Sequence, residues 1–171
     1  KVGLGESGSL YANILIGAVS VIATILGTRL IEKSNHYHML YIGLFGNAVF
    51  LCLLGFIMKI STFPQGLVNI LVLVCLALFL ANHQGLVSPV TWLLLAEMFP
   101  EKVKAQFMSI ATATNWITNF IISLVYPQLI ASLGMAVVFF IFALANGMST
   151  ILSILFINNH RMKIAYQGVD H

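Results

Sequence analysis

Residues Ser88 to Gln106 read SPVTWLLLAEMFPEKVKAQ. The stretch breaks at Pro89, carries Trp92, and ends its apolar run on Glu97, one turn before Pro100 and the charges of Glu101, Lys102 and Lys104. Directly ahead of it stand Asn82, His83 and Gln84, inside the same apolar run. What a lone carboxylate means at such a place depends on the solvent around the run, and that is set by the rest of the chain.

Working outward, charge is scarce and grouped. Of 171 residues, 60% are hydrophobic and 8% charged, against about a quarter charged in soluble domains. No Asp, Glu, Lys or Arg lies between Ser7 and Thr28, Ser34 and Met58, Ile60 and Ala96, or Ala105 and His160. A bilayer-spanning helix needs roughly 20 apolar residues. The gaps therefore hold one, one, one and two spans, at about 10–31, 39–58, 67–98, 103–130 and 135–157. The fold class that follows is all-α, a polytopic helical membrane protein with five transmembrane helices. Pro64 and Gly66 break the chain between the second and third spans, Pro89 interrupts the third, and Ser132-Leu133-Gly134 makes a tight turn.

Orientation is read from Lys and Arg. One side would hold Arg29, Lys33, Lys102, Lys104, Arg161 and Lys163, the other only Lys1 and Lys59. This predicts an extracellular N-terminal segment, 1–9, and a cytoplasmic tail, 158–171, in a multi-pass protein of the cell membrane. An odd span count and a first residue other than Met lead to the expectation of a piece of something longer. The net charge of +3 is scattered over helix ends with no aromatic-interleaved basic patch, so no nucleic-acid partner is expected. Cys52 and Cys75 sit in apolar runs without metal-ligand spacing, and no metal or other cofactor is expected. Without clustered acids and bases there is no acid–base catalyst to propose, and the chain does not read as an enzyme.

Polar residues in the spans carry the remaining information. A carboxylate in hydrocarbon is costly and is usually paired. For Glu97, on spacing alone, a snorkelling helix-end residue and a functional pairing both stay open. Thr112, Asn115, Asn119 and Ser123 share one side of the fourth span. In lipid such groups must face protein, water or ligand. Interhelical hydrogen bonding is their commoner fate, but with Asn82, His83 and Gln84 on the third span they could line a wet cavity. His83 reads better as a neutral ring bonded to a neighbouring helix than as a proton carrier. Trp92 and Trp116 are by default interface anchors. Their places, three residues after Pro89 and directly after Asn115, would also let them flank a polar pocket, where an indole stacks on the C–H face of a sugar.

These residues resemble a known family. The run SPVTWLLLAEMFPEKVKAQFMSIATATNWITNF is similar to the signature of the sugar porters of the major facilitator superfamily, roughly G-P-x-x-W-x-x-x-(S/A)-E-I-F-P-x-x-x-R followed by an (N/Q)-W pair. Leu30, Ile31, Glu32 and Lys33 look like the start of that family's L-V-(D/E)-R-x-G-R-R loop, with Asn35, His36 and Tyr37 in place of Gly-Arg-Arg. By this register the five spans are helices eight to twelve of a twelve-helix fold, the C-terminal bundle. The resemblance implies sugar contacts at Gln84, Trp92, Asn115 and Trp116. It implies a cytoplasmic gate built from Glu97, Lys104, Glu32 and Lys33, and a helix hinge at Ser88 and Pro89. Lys104 stands where the family has Arg, Ser88 where it has Gly, and the family's P-E-T-K-G tail motif is missing after Ile157. The implied activity is transport of a monosaccharide such as a hexose or pentose, by proton symport or facilitated diffusion, with the lipid bilayer and the N-terminal half of the transporter as partners. A non-transporting remnant, or a subunit that binds another membrane protein, is the alternative.

Overall fold

A computed structural model of the chain describes residues 6–59 and 64–167, with side chains for 10–59 and 64–156. Of the expected N-terminal segment, residues 1–5 fall outside the described residues, and of the expected tail, residues 168–171. Helix α1 (Glu6–Ile31) is followed by α2 (His36–Lys59), α3 (Gln65–Asn82), one π-helical turn (His83–Val87), α4 (Ser88–Met98), α5 (Glu101–Leu133) and α6 (Met135–Gln167). Five of these segments are long and apolar enough to cross a membrane, α3, the π turn and α4 together making one of them. There is no strand among the described residues. The last helix continues to Gln167, beyond the end expected for the fifth span at 157.

The segment ends have local causes. Phe99 precedes a proline, which disfavours the helical region; it is extended, with φ −104° and ψ 135°, and stops α4. Pro100 then caps α5, its carbonyl accepting the Val103 and Lys104 amides at 3.1 and 3.0 Å. Gly134 alone joins α5 to α6, with φ +81° and ψ 154°, a region essentially kept for glycine that costs other residues about 1–3 kcal/mol.

The third span shows how Pro89 is accommodated. Proline has no N–H to give the carbonyl four residues back, so Gly85 loses that helical bond. The chain widens by one residue per turn, and the Ser88 N–H bonds the His83 carbonyl, five residues back. The Gly85 backbone is pressed against α1 at Gly27. A methyl built on Gly27 would overlap the Gly85 carbonyl oxygen and stand 2.7 Å from its carbonyl carbon. One built on Gly85 would meet the Ala23 carbonyl at 3.0 Å. Small residues let membrane helices approach this closely.

Helix α2 is the centre of the packing. It runs along α6 on one side and α3 on the other. At one end Met39 and Leu40 pack on Val87, Val90 and Leu94. At the other, Leu51 and Leu54 pack on Val72, Cys75 and Ala143. Large apolar side chains elsewhere point outward on every span, from Leu15 and Ile22 to Phe120 and Leu144, as suits a chain whose solvent is lipid. No residue of α5 is buried. Two aromatic pairs tie that helix to its neighbours: Phe99 with Phe107, stacked at 4.5 Å, and Tyr126 with Phe142 at 6.2 Å.

Candidate functional site

Between the π turn with α4 and the facing side of α5 lies a cleft of about 790 Å³. Ser88, Thr91 and Trp92 form one wall; Thr114, Asn115, Thr118 and Asn119 form the other; His83 stands at its edge. The positions on α5 repeat every three to four residues, so a single helix face supplies hydroxyls and amides at successive turns. On the opposite wall the π turn and Pro89 set the direction of Ser88, Thr91 and Trp92, and the Thr91 hydroxyl is tied to the Val87 carbonyl at 2.7 Å. The volume falls within the range of small-molecule sites, about 300–1,000 Å³. An aromatic plate facing hydroxyls and amides suits a ligand with C–H faces and many hydroxyl groups.

Of the expected sugar contacts, Trp92 and Asn115 are brought together on this cleft. Gln84 is half-buried in the π turn, away from the cleft lining. Trp116 is 68% exposed and turned to the outside of α5, about 100° round the helix from Asn115. The polar face of α5 is rotated from the one read in the sequence. Asn115 and Asn119 lie on it with Thr114 and Thr118, whereas Thr112 and Ser123 do not line the cleft. The Thr112 and Thr114 hydroxyls each donate to their own helix, at the Met108 and Ile110 carbonyls, both 2.8 Å away.

The hinge residues Ser88 and Pro89 sit where the π turn passes into α4, and Ser88 stays helical (φ −60°, ψ −54°) although a proline follows it. Glu97, next to last in α4, has a half-exposed side chain, and its Oε2 lies 3.7 Å from Nδ1 of His36, the second residue of the "NHY" run. Lys104, half-buried on α5, makes no ion pair with Glu97 among the described residues, and Glu32 and Lys33 are exposed in the turn between α1 and α2. His36 was not among the expected gate residues. Its signal was present: it occupies the place of an arginine in the family's loop. The contact also brings the α1–α2 and α4–α5 connections to the same end of the bundle.

A second polar cluster lies beside the cleft. Asn82 Nδ2 donates to the Gly43 carbonyl at 2.7 Å and to Asn47 Oδ1 at 2.8 Å. Asn47 Nδ2 lies 3.0 Å from His83 Nδ1, and Phe79 stacks on the His83 ring at 6.0 Å. His83 is thus bonded to a neighbouring helix. Asn47, only 1% exposed, was not singled out from the sequence. An amide in mid-span that must find a partner in lipid is the signal that would have found it.

Comparison with known proteins gives the arrangement its context. A family model described as Sugar (and other) transporter matches residues 1–162. The chain is 36% identical over 140 residues to the major myo-inositol transporter IolT of Bacillus subtilis strain 168, which covers 82% of this chain and 29% of that protein. It is 31% identical over 145 residues to the arabinose-proton symporter of the same organism, covering 85% and 30%. It is 31% identical over 133 residues to the D-xylose transporter of Levilactobacillus brevis, covering 78% and 29%. The chain spans about a third of the length of the curated relatives it matches. The chain belongs to the sugar transporter family, the sugar porters of the major facilitator superfamily, a family of transporters and not of enzymes.

Proposed function

We propose that this chain supplies one wall of the path of a monosaccharide, a hexose or a pentose, through the cell membrane. The observation that carries the proposal is the cleft that joins Trp92 to Asn115. The Trp92 indole stacks on a C–H face of the sugar ring, Asn115, Asn119, Ser88 and Thr118 exchange hydrogen bonds with its hydroxyls, and the Thr91 and Thr114 hydroxyls, whose protons go to backbone carbonyls, accept from them. The relatives' names, a myo-inositol transporter, an arabinose-proton symporter and a D-xylose transporter, support a polyol of this size. Alternating access needs two bundles rocking about a central site. In this reading further helices close the cleft from the opposite side. Transport then runs either with a proton or down the sugar's own gradient.

Glu97 and His36 form a latch in this reading, at the end that the balance of Lys and Arg leads us to expect on the cytoplasmic side. Lys104, Glu32 and Lys33 surround the same end and adjust its field.

The test is binding of myo-inositol, glucose, xylose and arabinose to the natural-length protein. Asn115→Ala and Trp92→Ala are each expected to weaken binding by about five- to thirtyfold, the equivalent of roughly 1–2 kcal/mol. Unchanged binding in both removes the cleft from the sugar path. Binding of none of the four by the unaltered protein favours a non-transporting partner of another membrane protein.

A further inference from the structure

The polar cluster beside the cleft has only one self-consistent set of proton positions. The Gly43 carbonyl can only accept, so the Asn82 atom 2.7 Å from it is the nitrogen. That nitrogen spends its second proton on Asn47, whose facing atom, 2.8 Å away, must be the oxygen. Asn47 therefore turns its own NH₂ to His83, and Nδ1 of the ring, 3.0 Å away, accepts. A neutral imidazole that accepts at Nδ1 carries its proton on Nε2. Among the described residues Nε2 has no hydrogen-bond partner, and none of their buried polar side-chain atoms is left unpartnered. Nε2 is therefore accessible, on a residue that lines the cleft.

We propose that Asn47 and Asn82 hold His83 as a one-way donor, its Nε2–H aimed at a hydroxyl oxygen of the polyol in the cleft. Asn47 is then a positioning residue for ligand recognition, although its helix, α2, contributes nothing to the cleft lining. The inference rests on the cleft being the sugar site. The relay is stiff as well as directional. The amide of Asn47 is buried, the ring is stacked on Phe79, and the Gly43 carbonyl that fixes the sequence of donors belongs to a helix backbone. A hydroxyl oxygen is rewarded at this point of the cleft, and a methylene there leaves a donor unmet.

The test is a cycle of Asn47→Leu, His83→Phe and the double substitution in the natural-length protein, with affinities measured for myo-inositol, glucose, xylose and arabinose. His83→Phe is expected to weaken the bound polyol by roughly two- to tenfold, the range of one hydrogen bond. Asn47→Leu is expected to weaken it comparably, and the double variant no more than His83→Phe alone. If the unaltered protein binds none of the four, the transport reading falls and this inference with it. If it binds them and His83→Phe binds equally well, only this inference falls. Additive losses in the double variant show Asn47 acting by another route and overturn the relay. Independently of any variant's stability, nitrogen NMR of histidine-labelled protein reads the tautomer directly. A proton on Nε2 of the His83 ring supports the proposal, and one on Nδ1 overturns it.

Discussion

Replacing Gly27 by Ala adds one methyl to α1, and the structure fixes where it goes. It would lie 2.7 Å from the Gly85 carbonyl carbon and overlap the carbonyl oxygen. Carbon atoms rest at about 3.5–4.0 Å, so relief requires about 1 Å of separation. Both partners are backbone, so no rotamer change can supply it. The helices must part, and a gap of that size forfeits about a quarter to a half of the contact energy along the crossing. Overpacking of this kind costs about 1–3 kcal/mol, which for a chain of this size lowers Tm by roughly 2–12 °C. Gly17, on the same helix, has nothing within 4 Å of a built methyl and provides the control. Thermal unfolding in detergent, followed by tryptophan fluorescence, should place Gly27→Ala well below the unaltered protein and Gly17→Ala level with it or above. The same variant should weaken sugar binding, because the π turn it displaces carries His83 and Ser88. If Gly27→Ala unfolds with Gly17→Ala, the close crossing of α1 on the π turn is wrong.

Three further outcomes are expected. Trp116→Ala should weaken sugar binding less than Trp92→Ala, since Trp116 lies outside the cleft; the opposite order in a titration would exchange their roles. Glu97→Gln should bias the protein towards opening on the latch side, by about 1.5- to 5-fold, given the roughly 0.2–1 kcal/mol of a partly exposed pair. His36→Arg, with a fixed positive fork for the carboxylate, should bias it the other way, and cysteine accessibility from that side reports both. Gly134→Ala should destabilise the α5–α6 connection by about 1–3 kcal/mol through its positive φ, read as a lower unfolding temperature.

The five spans were legible because charge is nearly absent from hydrocarbon, and the gaps between Arg29, Lys59, Glu97 and Arg161 left few alternatives. Trp92 and Asn115 were legible through spacing after Pro89 and through the asparagine–tryptophan pair. Several features were not. Pro89 announced a break, but not that the helix would widen into a π turn whose Gly85 meets Gly27, a contact between distant parts of the chain. Helical spacing put Thr112, Asn115 and Asn119 on one side of α5, yet a period fixes a face only up to rotation. Packing against α4 and α6 chose Thr114 and Thr118 over Thr112 and Ser123. Asn47 was overlooked because a single amide in an apolar run has no period at all. Its meaning comes from Asn82 and His83, thirty-five and thirty-six residues further on.

One property of α5 bears on how such a wall could move. The helix is 33 residues long and hides none of them; a one-residue joint at Gly134 holds one end, Pro100 the other, and two ring contacts fasten its flank. Swinging it like an oar on those rowlocks would unseat no core side chain. Among the described residues, cleft width can therefore change without disturbing the packing of α2 against α6.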